Sequence, residues 1–206
     1  MKERRYGSAG AKNSAWFKEH KQRNSELIIN LKMNTMTQHT KNEEFYDMVS
    51  LLEYEHEEIL ISLSELENLV LDLGKQEVDY KKYGDIKELL AKVFKRLGFN
   101  FMMEEDILFP ELHEVLPQQS SVPAMKTEHT EILELCSMTL DMMATKEHAD
   151  VNKERIEAEI ITLTDLVERS FHKKENVMYH EAESLFDERQ LEELYNKMLL
   201  KYYRNS

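Results

Sequence analysis

The stretch Phe99-Asn100-Phe101-Met102-Met103-Glu104-Glu105-Asp106-Ile107-Leu108-Phe109-Pro110 decides how the rest of the chain is read. Alternating steps of four and three through it and the residues before it give Ile86, Leu90, Val93, Leu97, Asn100, Glu104 and Ile107. This is the spacing of one face of an α-helix, and an apolar face of that kind is turned toward a core. Pro110, with no backbone N–H, is expected to end the helix. Asn100 and Glu104 interrupt the apolar face one turn apart. A buried carboxylate costs several kcal/mol unless it is paired, hydrogen-bonded or bound to a metal. Glu104 therefore requires a partner.

Working outward, three further helices repeat the pattern. The first runs from about residue 43, capped by Asn42, to Leu73 before Gly74, with the face Phe45, Val49, Leu52, His56, Ile59, Leu63, Leu66, Val70 and Leu73. Asp85 is expected to cap the helix of the opening stretch. Pro123 opens a third helix with the face Met125, His129, Ile132, Cys136, Leu140 and Met143. The fourth spans about 152–182, with Ile156, Ile160, Leu163, Val167, Ser170, Lys174 and Val177 on one face. Residues 187–202 suit a short closing helix. The expected fold is all-α: an antiparallel up-down-up-down four-helix bundle over 43–206, with a short C-terminal helix and an N-terminal extension.

Composition narrows the function. The chain has 206 residues and a net charge of −13. Residues 1–42 hold nine Lys/Arg against three Asp/Glu, so the remainder carries −19 and is a poor ligand for nucleic acid. The basic leader reads as a flexible, solvated arm. One cysteine, Cys136, excludes an internal disulfide and suits the reducing cytoplasm. No run approaches the ~18 apolar residues that suggest a membrane span. Phosphate loops, dinucleotide motifs and nucleophile–base arrangements are lacking, so a binding role is expected rather than an enzyme.

Each bundle helix thus carries a polar residue on its apolar face. His56, Asn100, Glu104, His129, Ser170 and Lys174 would form one internal cluster if their levels match, either a polar network or a metal site in which His56, Glu104 and His129 make a two-histidine, one-carboxylate set suited to Fe, Mn or Zn. His172 and Glu175, neighbours at i and i+3, would join as candidate ligands if the fourth helix rotates or bulges. A weak internal repeat relates Glu104–Pro110 to Lys174–His180, seventy residues on. The remaining histidines, His20, His39, His113, His148 and His180, read as surface residues.

The runs Leu51–Ile59, Asn100–Pro110, Met125–Ile132 and Lys174–Glu183 resemble the hemerythrin-like, or HHE cation-binding, domain; the Glu-Glu-x-x-Leu-Phe-Pro run is the most specific. The resemblance spans about 45–200. It implies a bundle holding one or two non-haem irons, with O2 or NO as further ligands, or an iron-sensing role. It matches His56 and His129 to the family's histidines on the first and third helices. It places His-x-x-x-Glu on the second and fourth, where this chain has Asn100…Glu104 and Ser170…Lys174. Two readings stay open: an iron-binding protein using His56, Glu104, His129, His172 and Glu175, or a metal-free descendant with a Glu104–Lys174 pair acting as a regulatory or interaction module. A ferritin-like di-iron reading, from Glu53-x-x-His56, lacks a second motif facing the core.

Overall fold

The computed structural model describes residues 47–73, 80–116, 121–145 and 151–205. The chain divides between Glu43 and Glu44; the expected arm over 1–42, the Asn42 cap and the surface readings of His20, His39 and His148 lie outside the described residues. The described residues are helical and contain no strand: α1 (Met48–Leu73), α2 (Tyr80–Met103), α3 (Phe109–Val115), α4 (Val122–Met142), α5 (Lys153–Lys173), α6 (Tyr179–Leu185) and α7 (Glu188–Asn205). A π-helical turn, Glu104–Leu108, joins α2 to α3, and another, Lys174–Met178, joins α5 to α6. In packing, α1 meets α2 and α5, and α4 meets the same two, so the four long segments close a ring.

The apolar faces predicted from sequence line two core clusters. One contains Ile59, Leu63, Leu66, Val70, Leu90, Leu97, Ile132, Cys136, Ile160 and Val167. The other contains Leu51, Leu52, Met103, Leu108, Phe109, Met125, Met178 and Tyr179, and is covered by Leu194, Met198 and Tyr202 of α7. Along every helix the polar face residues fall between the two clusters: His56 between Leu52 and Ile59, His129 between Met125 and Ile132.

Three expectations are corrected. Asp85 lies inside α2, which begins five residues earlier at Tyr80. Helical structure does not stop at Pro110 but runs on to Val115, because the π turn hands over to α3 at Phe109. The proline then falls in the first turn, where a missing N–H leaves no intrahelical bond unmade. Val177 is 51% exposed, and Met178 is buried in its place. A π turn closes i→i+5 bonds and inserts one residue, so the buried position after Lys174 comes four residues later rather than three. In the first π turn the expected Ile107 is buried, and Leu108, four residues after Glu104, is buried with it. Among the described residues no helix is long and apolar enough to cross a membrane.

Candidate cation site

The two π turns place one fully buried charge each at their first position. Glu104 and Lys174 are both 0% exposed, and Lys174 Nζ donates to Glu104 Oε2 at 2.5 Å. The other carboxylate oxygen, Oε1, accepts from the Tyr179 hydroxyl at 2.6 Å. The lysine ammonium also lies 4.5 Å from the ring centroid of Phe101 and 5.3 Å from that of Phe171. Such ring faces attract a desolvated cation. Glu104 thus has the partner its burial demands, and the partner is the lysine on the facing helix.

Two histidines flank the pair. His56 presents Nε2 to Glu104 Oε1 at 3.9 Å and to the Tyr179 hydroxyl oxygen at 3.2 Å, while its Nδ1 meets Glu175 Oε1 at 2.7 Å. His129 presents Nε2 to Glu104 Oε2 at 3.2 Å, and its Nδ1 meets Glu105 Oε1 at 2.7 Å. Each ring is held flat against a phenylalanine, His56 on Phe171 at 3.6 Å and His129 on Phe101 at 3.8 Å between centroids. A carboxylate holds each Nδ1, and each Nε2 is turned toward the interior.

The arrangement repeats at an offset of seventy residues. Phe101 and Phe171 each stack on a histidine; Glu105 and Glu175 each hold an Nδ1; Asn100 and Ser170 occupy matching buried places. The halves differ in charge at Glu104 and Lys174, and in a hydroxyl at Phe109 and Tyr179. The electrostatics follow from burial and this asymmetry. Burial opposes the Glu104 charge, but Lys174 and the two histidines outweigh it and hold the carboxyl at about 2. Burial lowers Lys174 and is opposed by Glu104. Burial, with Lys174 adding to it, keeps His56 below its ordinary value. Burial and the Glu104 charge push Tyr179 well up, so it remains a donor.

The structure therefore gathers His56, Glu104 and His129, with Asn100, Ser170 and Lys174 beside them in the same buried layer, and sets Glu175 behind His56 rather than in the centre. The bulge that would turn the fourth helix exists as the second π turn, and it serves Glu175 only. His172 stays exposed, with Nδ1 against the Asn176 amide at 3.0 Å. It precedes the inserted residue, so the phase shift does not reach it. Glu53 is exposed as well, which removes the ferritin-like reading. Glu105, Phe101, Phe171 and Tyr179 were not expected at the site. The seventy-residue repeat is the signal that points to them: applied to Glu175 it leads to Glu105, and applied to Phe109 it leads to Tyr179.

Whether the residues present suit a metal ion follows from the carboxylate. Both Glu104 oxygens are taken, one by an ammonium and one by a hydroxyl, and the ammonium carries the charge a metal would bring. Asn100 and Ser170 side chains are buried without a hydrogen-bond partner and offer weak ligands where a metal centre needs strong ones. Among the described residues no three His, Cys, Asp or Glu side chains are arranged to hold a metal ion. As arranged, the cluster does not fit one.

The family model for the hemerythrin HHE cation binding domain matches residues 47–179. The chain belongs to that family, whose members are defined by cation binding within a helical domain. Comparison with curated proteins and with solved structures gives no match.

Proposed function

We propose that this chain is a hemerythrin-family domain whose internal cation is its own Lys174 ammonium, and that it acts as a metal-free regulatory or interaction module rather than as an enzyme. The observation that carries the reading is the 2.5 Å contact between Lys174 and Glu104, both inaccessible to solvent. A neutral, well-bonded lysine–glutamate pair supplies the charge balance that a metal supplies elsewhere, without dependence on metal supply or oxidation state. The single cysteine, buried at Cys136, is consistent with a cytoplasmic location.

One observation favours the second reading, a single non-haem iron bound by His56, Glu104 and His129 for O2 or NO binding or sensing. Both imidazoles have Nδ1 held by a carboxylate and Nε2 turned inward, as metal-ligating histidines do. That reading requires Lys174 to give up Glu104. Elemental analysis of protein purified without chelator distinguishes the two. The metal-free reading expects far less than one iron per chain in the wild type, and a gain of iron in Lys174→Glu, which replaces the ammonium by a carboxylate. Stoichiometric iron in the wild type would overturn it.

A further inference from the structure

Away from the interior cluster, a pocket of about 470 Å³ opens on the side of the bundle where α2 meets α1 and α7. Its apolar wall is made by Phe99, Met102 and Tyr202, the two rings tilted at 47° with centroids 6.3 Å apart. Volumes of this size hold small organic ligands, and a thioether among rings adapts to their shape. One end is closed by Arg96. Its Nε and Nη2 clasp Glu55 at 3.0 and 3.1 Å, and its Nη1 reaches Glu58 at 3.0 Å. Burial works against the guanidinium charge, but these carboxylates outweigh it and keep Arg96 charged. Glu55 and Arg96 thus satisfy each other. Lys95 remains, exposed at the rim, with no ion pair among the described residues. With Glu58 counted beside Glu55, the charges at this end of the pocket balance, and Lys95 is the one that stands outside the Arg96 ion-pair group.

The second observation is Gly98, inside α2 near its C-terminal end and on the pocket wall. Glycine inside a helix is disfavoured relative to alanine because it loses more backbone freedom on folding. Packing within the chain does not explain it: a Cβ added at Gly98 meets nothing within 4 Å. The missing side chain keeps the pocket open where a ligand would lie against the backbone.

We propose that this pocket binds a small carboxylate with an apolar tail, the tail between Phe99, Met102 and Tyr202 over Gly98 and the carboxylate at Lys95. Sodium decanoate, below its micelle concentration, is the probe, with decylammonium as its cationic counterpart, both titrated calorimetrically into the full chain. Decanoate binds saturably at one per chain, and decylammonium binds at least roughly tenfold more weakly because it meets Lys95 with like charge. Gly98→Leu fills the space and abolishes decanoate binding while its helical circular dichroism and Tm are maintained. Lys95→Gln removes the preference for decanoate over decylammonium. The proposal is overturned by no saturable decanoate binding to the wild type, by equal binding of the two probes, or by binding that survives Gly98→Leu. If the leucine variant fails to fold, Gly98→Ala, whose methyl takes only part of the space, is expected to weaken decanoate binding without abolishing it, and unchanged binding to it overturns the proposal.

Discussion

Replacing Lys174 by methionine leaves Glu104 buried with its charge uncompensated. Breaking a buried pair from one side costs about 3–5 kcal/mol, whereas replacing both partners by apolar or neutral groups is often nearly neutral. Lys174→Met is therefore expected to lower unfolding free energy by that amount in urea denaturation, and Lys174→Met with Glu104→Gln to recover most of it. A double variant as unstable as the single would show that the two charges do not compensate each other. Acid titration reads the same contact. Glu104 is held from its ordinary 4.5 down to about 2. A depressed carboxyl contributes stability that is fully present above its unfolded value and is lost as pH falls toward its folded value. The window is therefore about pH 4.5 to 2, and the loss is on the order of 3 kcal/mol. The wild type should show this slope, and the double variant should lack the Glu104 share of it. The pairing demand of Glu104 is legible in the sequence, since a carboxylate on an apolar face cannot be left alone, and Lys174 lies on the matching face of the fourth helix. The stacked phenylalanines and the Tyr179 hydroxyl are not legible from periodicity, because aromatic residues on a core face are expected whether or not they touch a polar group.

The two π turns have the largest local influence on the site. Each inserts a residue, which lets Glu104 and Glu105, and likewise Lys174 and Glu175, serve the cluster from adjacent positions. A regular helix would separate adjacent side chains by about 100°. Deleting the exposed Val177 should convert the second turn to α-helix and leave α6 in phase, since Met178 and Tyr179 then follow Lys174 by three and four residues, while turning Glu175 away from Nδ1 of His56. The expected result is a Tm lower by roughly 3–8 °C, from the lost Glu175–His56 hydrogen bond, with the near-ultraviolet tyrosine signal retained. A Tm equal to that of the wild type would mean that the inserted residue does not position Glu175. The period-3.6 reading cannot show such an insertion. It therefore buries Val177 in place of Met178, turns on His172 as well as Glu175, and treats Pro110 as a stop. Gly98→Ala belongs to this scale too. With open space at the site, it should raise stability by about 0.5–1 kcal/mol in the absence of ligand.

For the molecule as a whole, the helical class and the core-facing stripes are legible because every long segment keeps one mainly apolar face, while the division of the core into two clusters is a finding of the structure. The ring of four helices holds the polar layer between those clusters, which fixes its side chains and excludes solvent from its charges. The family is named for cation binding; under the proposed function, the cation of this layer is the Lys174 ammonium. The most direct measurement is anomalous diffraction at the iron edge, from crystals grown anaerobically with Fe(II). The account predicts continuous density for Lys174 reaching Glu104 and no anomalous peak in the cluster. A peak within bonding distance of Nε2 of His56, Nε2 of His129 and the Glu104 carboxylate, with Lys174 displaced, would contradict it.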